Sequence, residues 1–599
     1  MTFPRGAALA LGLGIVLFFD VLRVFLPSLI TLFGRAGETP AEQMGLFAAL
    51  WFVLPFVALL MNPRWSLYGG AAGLVVCRLL LQGEVSQLYV SSLGVTFGLF
   101  FLYGCAHTLP RAAVPVGIGG GLGASVVVHL LLDGVDLVWR DGTLPWLATI
   151  TLCAAFLATL RQAPSDDLAP SSTWFLLAPT LLLVGMLVLT PGLPDEPASP
   201  WLSAGRTALV ALVALTPVIM TTLPDDGRRS PWFLVAGFAL IATDAVVERR
   251  LAPTMVGMLL LGYALCVTAS HGKSGKRPGL VILSGMSLFL VATFLYYAAY
   301  DLDLGFPNVA VPIALLFLVA FIEIVTRETA AKRPGLGRRV WLIVLGLALV
   351  VGATGWRTVP EVRPKQGDTF TLIAYNIRMG FGLDGRLSLD DIAAWAATRK
   401  PDVVLLSEVD RGWLLNGGHD DLARIARGLG MRYYFAPAAD PLWGDALLTN
   451  LPVKDVASHR LGKYGYPTGA QAQTAVIQVG GREVGIVNTH LQAPPGQAPE
   501  VAALVNELSR TRPVVVAGDL NTTHADPQMK ALEAAGLTDP LIALGDPRTS
   551  PADAPTKRID HVLLTNGLTV VNAEVPSVPY SDHLPVVTTL RITTVDQGG

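Results

Sequence analysis

The residue pattern predicts an all-α polytopic membrane bundle followed by a soluble α+β domain. Two observations predict it. Of 599 residues, 52% are hydrophobic and only 15% charged, where a soluble chain carries about 25% charge. The apolar excess ends abruptly near residue 356, and short strand-like and helix-like segments alternate after it.

Apolar runs near the length of a bilayer core recur from residue 7 to residue 356. They fall near 7–33, 44–61, 65–82, 88–107, 113–132, 143–160, 173–192, 205–223, 231–247, 253–270, 278–300, 306–326 and 338–356, giving about thirteen helices. The first run does not read as a cleavable signal peptide, because it is long, contains Asp20 and Arg23, and precedes further spans. One alternating set of loops is basic and includes Arg64, Arg111, Arg161, Arg228, Lys273 and the dense stretch 327–339. The other is acid-rich and includes Glu84, Asp133, Asp136, Asp141, Glu248 and Asp301. The positive-inside rule then places the N-terminus in the cytoplasm and the C-terminal domain outside a plasma membrane.

Several ionisable residues fall within or near the runs. Asp20 and Arg23 are three apart and share a helix face, so pairing between them is one expectation. Arg78, His129, Asp244 and Glu323 are further cases; such groups mark function in a membrane or pair within the bundle. Cys77, Cys105, Cys153 and Cys266 all sit in apolar runs and read as small buried hydrophobes. None follows residue 266, which excludes a disulfide framework or thiolate metal site from the soluble part.

The stretch 357–367 is polar, carries two prolines and reads as a linker. From residue 365 onward there are 20 Lys and Arg against 25 Asp and Glu, so the domain at 368–594 is mildly acidic. Strands are expected at 369–375, 402–407, 446–449, 475–479, 483–489, 513–517, 558–565 and 586–592. Helices are expected at 388–397, with Ser388 as its cap, and at 499–510. Polar residues stand at the strand ends: Asn376 after TLIAY, Glu408 in LLSEVD, His490 in VNTHL, Asp519 and Asn521 in VAGDLNT, Asp560 in KRIDHVLL, and Asp582 with His583 in SDHLP. Strand ends are where a sheet converges side chains on a ligand.

Phosphodiester hydrolysis needs a cation on the anionic phosphate, an oriented water and relief of charge on the leaving oxygen. Glu408 is a hard oxygen ligand suited to Mg²⁺, with Mn²⁺ as the alternative. Asn376 offers a carbonyl to a metal or an amide to a phosphate oxygen. Asp519 and Asn521 are two apart, so in extended backbone they face the same way.

The succession GDLN, RIDHVL and SDHLPV resembles the endonuclease/exonuclease/phosphatase superfamily, which includes DNase-I-like nucleases, sphingomyelinases and inositol-phosphate phosphatases. The resemblance covers 368–594 and implies a DNase-I-like four-layer αββα sandwich. It implies that Asp519 orients or deprotonates the water and Asn521 stabilises developing charge. His583 would act on the phosphate or leaving oxygen, Asp560 would set its tautomer, His490 would be the second histidine, and Asp582 would complete a metal site with Asn376 and Glu408. The chain departs from the family at Asp445, where Asn is usual, and at Gln471 and Gln473, where many relatives carry Arg.

Layout and motif are also similar to GPI-lipid-remodelling membrane proteins, which join a polytopic region to a domain of this superfamily. That implies a membrane lipid or lipid-linked head group as the phosphate-ester partner, since one helix already suffices as an anchor. The alternative is a membrane-anchored extracytoplasmic nuclease. It ranks behind, because no basic loop with interleaved aromatics occurs in the domain. His561 is expected to be structural, and His524 and Asp526 either line the pocket or cap the next helix.

Overall fold

The computed structural model describes residues 5–34, 39–161, 165–188, 196–222, 235, 237, 260–265, 267–269, 277–302, 304–326, 339–465, 469–492 and 496–593. Most of the expected span 231–247, half of 253–270, Asp244, Cys266 and the basic stretch 327–338 lie outside the described residues.

The helical half begins with α1 (Arg5–Ser28), continued by a π-helical turn at Leu29–Phe33. It is followed by α2 (Ala41–Val53), α3 (Pro63–Gln82), α4 (Gln87–Thr108), α5 (Ala113–Leu131), α6 (Thr143–Thr159), α7 (Ser171–Phe175), α8 (Leu177–Leu183), α9 (Pro200–Thr222), α10 (Pro278–Asp301), α11 (Ala310–Thr326) and α12 (Arg339–Thr354). Among the described residues six helices are long and apolar enough to cross a membrane, Arg5–Phe33, Ala41–Leu60, Gln87–Thr108, Ala113–Leu131, Pro200–Ile219 and Pro278–Tyr300. Shorter apolar helices include Thr143–Thr159, Ala310–Thr326 and Val340–Thr354. Large apolar side chains such as Leu46, Leu60, Leu144, Leu342 and Leu349 lie on the surface. So many exposed large apolar side chains on long apolar helices fit association with a membrane.

Inside the bundle Asp20 and Arg23 do not pair with each other. Arg78 Nε donates to Asp20 at 3.3 Å, and Arg23 donates to both carboxylate oxygens of Asp136 at 3.3 Å. The residues share a helix face, but the packing offers each a better-placed partner on a neighbouring segment. His129 Nδ1 joins Asp136 at 2.8 Å. Cys77, Cys105 and Cys153 are buried thiols, and Glu323 is buried.

The C-terminal half is a two-sheet sandwich. Its strands are β1 (Thr369–Asn376), β2 (Val403–Asp410), β3 (Tyr433–Asp440), β4 (Trp443–Thr449), β5 (Val453–Arg460), β6 (Gln471–Val479), β7 (Arg482–Thr489), β8 (Val514–Asp519), β9 (Asp560–Leu564), β10 (Leu568–Glu574) and β11 (Val586–Ile592). One sheet runs β10-β11-β1-β2-β4-β3 and the other β5-β6-β7-β8-β9. Alternate residues of each central strand face the partner sheet, so Leu372, Leu405, Ile477, Ile486, Val515 and Val562 form the inter-sheet core. On the first sheet's outer face Ile373, Val404 and Leu406 pack on α13 (Leu389–Thr398) and α14 (Asp421–Leu429). On the other, Val487, Val514 and Val516 pack on α15 (Gln497–Leu508) and α16 (Pro527–Ala534). The layers are therefore αββα. Ser388 precedes α13 but does not cap it through its side chain; its hydroxyl donates instead to the Arg386 carbonyl.

Arg558, Asp539 and His561 form a buried ion network within the domain. Arg558 Nη2 lies 2.6 Å and His561 Nδ1 3.1 Å from Asp539 Oδ2, and His561 Nε2 meets the Thr522 carbonyl at 2.9 Å. Burial opposes ionisation of Asp539, but hydrogen bonds from His561 and Arg558 win and hold it at about 2. A depressed carboxylate stabilises the fold above its ordinary value of 3.8 and loses that contribution as pH falls from about 4 to about 2. The stabilisation at stake is ~2 kcal/mol. Asp539→Asn is expected to destabilise the domain by about 3 kcal/mol, since it removes the buried charge partner of Arg558 and leaves that guanidinium only the half-exposed Asp546 at 2.6 Å. Thermal unfolding of the full chain in detergent, followed by the β signal in circular dichroism, checks it; an unchanged midpoint counts against the network.

The domain sits on one end of the bundle, the end that carries the acid-rich loops. Arg424 Nη1 pairs with Asp133 at 2.7 Å, and Arg386 lies 3.3 Å from Glu84 and 3.4 Å from Asp141. Tyr296 and Asn308 donate to Asp440 at 3.3 and 3.0 Å, and the Leu415 amide donates to the Tyr297 hydroxyl at 3.0 Å. Phe381, Trp413, Leu414 and Leu442 enter the bundle's own hydrophobic core. Leu414 rests on Gly185, where a Cβ would lie 2.8 Å from its side chain. Burying such side chains contributes about 1.5–3 kcal/mol each, so the docked arrangement is a packed interface.

Candidate active site

The two sheets each contain one parallel pair, β1 with β2 and β7 with β8. The ends of these four strands meet at one edge of the sandwich and carry the polar residues. Asn376 closes β1, Asp519 closes β8, and Asp560 opens β9 directly opposite Asp519 in the register. His490 follows β7, and His583 lies in the loop before β11. Glu408 sits where the β2–β4 register shifts between Leu406 and Val409, and its φ is +55°. A bulge of this kind re-aims a side chain, here toward the site. Asn521 is also left-handed at +45°; such conformations cost about 1–3 kcal/mol each and cluster at functional sites. The glycine of GDLN has its own cause: Gly518 has φ +135°, and a Cβ there would overlap the Thr489 carbonyl oxygen.

The side chains converge. Ligand atoms of Glu408, His490 and Asp519 all lie within 4.8 Å of one another, and so do those of Asp519, Asp560 and His583. Asp519 belongs to both groups. The Asn376 amide donates to Glu408 Oε1 and to Asp519 Oδ2, each at 3.0 Å, while its carbonyl accepts the Arg378 amide at 3.0 Å. It therefore holds the two carboxylates in place. Asn521 donates to His490 Nε2 at 3.1 Å and to the Leu491 carbonyl at 2.9 Å, and its own amide reaches Asp519 Oδ1 at 2.9 Å. His583 Nδ1 lies 2.9 Å from Asp560 Oδ2 and 3.7 Å from Asp519 Oδ2. Asp582 is drawn aside: its carboxylate lies 3.3 Å from Arg378 Nε and accepts the Ser581 hydroxyl at 3.3 Å.

Burial opposes a charge on Glu408, Asp445, Asp519 and His583, and their neighbours decide the outcome. Burial raises the Glu408 carboxyl and pushes Asp445 up to about 7. Asp519 moves the other way, because His583, His490 and the Asn376 amide outweigh its burial. His583 is raised well above its ordinary value, burial being overcome by Asp560 and Asp519. Both directions favour the charged forms, a carboxylate at Asp519 and an imidazolium at His583.

Residues that pattern reading had not selected complete the site. Arg378 ties Asp582 to the bundle, its Nη2 donating at 2.8 Å to the carbonyl of Thr31 in the π-helical turn. Trp443 lies 5.9 Å from the His490 ring. It stacks on Trp413, and both tryptophans meet Tyr300 of α10 edge-on. Their signal in the sequence is slight: Trp413 stands in the loop after β2, and Trp443 opens β4. Asp445 and Gln471 are hydrogen-bonded to each other, and Gln473 donates to the Tyr434 carbonyl at 2.8 Å. His561 faces away into its buried network, Asp526 accepts the Thr523 amide at 2.6 Å at the entry to α16, and His524 stands half-exposed beside Glu533.

Carboxylates, imidazoles and amides gathered at the paired ends of two packed sheets define a phosphoesterase-type domain. Residues 373–583 match the model of the Endonuclease/Exonuclease/phosphatase family, and the C-terminal domain is a member of that family. Solved structures similar to the chain include an endonuclease/exonuclease/phosphatase from Beutenbergia cavernae, 23% identical, covering 38% of this chain and 72% of that one, with a TM-score of 0.32. The catalytic domain of human Nocturnin with bound sulfate is 19% identical, covering 39% and 96%, with a TM-score of 0.33. Among curated proteins, a Na(+)/H(+) antiporter NhaA of Mesorhizobium japonicum is 28% identical over 284 residues, 42% of this chain and 70% of the relative.

Proposed function

We propose that the protein is a multi-pass membrane, metal-dependent phosphodiesterase or phosphoryl-group transferase that acts on a lipid or lipid-linked head group at the outer face of the plasma membrane. The observation that carries the reading is the aromatic bridge from His490 through Trp443 and Trp413 to Tyr300 and Tyr297 of α10. One wall of the catalytic cluster is thereby continuous with the bundle. Docking at the acid-rich end supports the outer placement, because basic loops stay in the cytoplasm.

The donor set fits a hard divalent cation. Glu408 and Asp519 supply carboxylate oxygens, His490 a ring nitrogen, and Asp560 Oδ1 is buried with no hydrogen-bond partner among the described residues. A bound Mg²⁺ would neutralise charge on the phosphate. The chain's own groups supply the rest. Asp519 accepts a proton from the attacking water or hydroxyl, and its position is held by Asn376 and the Asn521 amide. The His583 imidazolium, oriented by Asp560, stabilises the phosphate charge and protonates the leaving oxygen. Asn521 orients His490 through its amide.

The test offers detergent-solubilised full-length protein Mg²⁺ with phospholipids, sphingolipids, plasmid DNA and a small water-soluble phosphodiester. Trp413→Ala with Trp443→Ala is expected to reduce lipid cleavage at least tenfold while leaving turnover of the small ester within about threefold, as loss of apolar substrate contact requires. Equal loss on both substrates, or DNA nicking in place of lipid cleavage, rejects the lipid reading and favours a nuclease.

A further inference from the structure

A cavity of about 370 Å³ lies between the bundle and the domain, away from the catalytic cluster, none of whose residues lines it. Five guanidiniums line it: Arg206 of α9, Arg357 after α12, Arg411 after β2, and Arg424 and Arg427 of α14. Two carboxylates line it with them. Asp133 pairs with Arg357, Arg424 and Arg427, and Asp420 pairs with Arg411. Asp390, outside the lining, takes a second edge of Arg424 at 2.6 Å. Among the described residues the lining thus carries five guanidiniums against two carboxylates, with Asp390 just outside it. Arginine's planar fork suits phosphate oxygens better than any other cation.

The height of the cavity narrows the ligand further. Thr354 and Gly355, at the end of the last apolar helix, form part of its wall, together with Thr207 and Val210 of α9. Beside them Trp201 and Trp356 meet edge-on with ring centres 4.6 Å apart, and Trp201 is 78% exposed. Tryptophans of this kind mark the head-group level of a bilayer.

We propose that this arginine-lined cavity is a second, non-catalytic site for a phosphate-bearing anion at head-group level. Occupancy would place an anion among these arginines where bundle and domain meet, and so tighten the docking of the domain. The site stands independently of the substrate assigned to the catalytic cluster.

Full-length protein in neutral detergent is titrated with phosphatidylglycerol, phosphatidylcholine and inorganic phosphate, and retention is read by native mass spectrometry and thermal shift. Phosphatidylglycerol is expected to bind and stabilise wild type and His583→Ala alike, which separates the cavity from the catalytic site. Arg206→Gln with Arg357→Gln is expected to weaken binding at least tenfold, the loss that one or two charge-assisted hydrogen bonds produce. Binding of phosphate without preference for the lipid makes a free anion the ligand and keeps the site. If the double variant does not fold, Arg427→Gln, whose guanidinium is 38% exposed at the rim, is expected to weaken binding by a similar factor. No binding of either anion to wild type, equal binding of phosphatidylcholine, or binding unchanged by these substitutions overturns the proposal.

Discussion

Replacing His583 by Ala is expected to lower phosphodiester turnover by about 10³-fold, within the 10²–10⁴ that a positioned acid contributes. Among the described residues the imidazole is the one cation within 4 Å of both Asp519 and Asp560, so no described neighbour replaces its proton. Added imidazole is expected to restore part of the activity, because the variant leaves a cavity beside an intact Asp560. Asp560→Asn is expected to lose less, and mainly in kcat, since it removes the orienting carboxylate and leaves the ring. Steady-state kinetics on a small phosphodiester checks both. A His583→Ala enzyme that keeps more than a tenth of wild-type turnover removes the histidine from the reaction.

Glu408→Ala is expected to reduce turnover by about 10²-fold at ordinary Mg²⁺, with partial recovery as the metal is raised. The chain places Glu408 in an unusual way: a register shift and a left-handed backbone turn its carboxylate to the Asn376 amide and into reach of Asp519 and His490. A structure bears that strain only where the side chain's position matters. The readout is activity against Mg²⁺ concentration, where the half-saturation point should move upward. Loss that no concentration of Mg²⁺ relieves would mean that Glu408 acts in some way other than holding a cation.

Parts of this molecule were legible in residue order because the relevant physics is local. Buried strands such as 403–406 and 514–517 are continuous apolar runs, and the motif residues sit at their ends. β5 and β10 were not legible. Both are edge strands with one open side, so their outward residues are polar and no alternating apolar face remains to read. Helix α14 escaped notice for a related reason: its length is nine residues and it ends in a left-handed Gly430. Asp20 and Arg23 were placed on one helix face correctly, yet their partners, Arg78 and Asp136, are 58 and 113 residues away in the chain.

Sequence alone determined the apolar helical half, the break near residue 356, and the set of acids, amides and histidines at the strand ends, since run length and motif depend only on near neighbours. Tertiary structure alone decided how those residues are used. Pairing of two sheets brought Asp519 and Asp560 side by side, a bulge turned Glu408 inward, and Arg378 drew Asp582 toward the first helix. Docking of the domain then set Trp413 and Trp443 against Tyr300 and enclosed five arginines in one cavity. Each of these depends on contacts between segments far apart along the chain, and no local pattern encodes them.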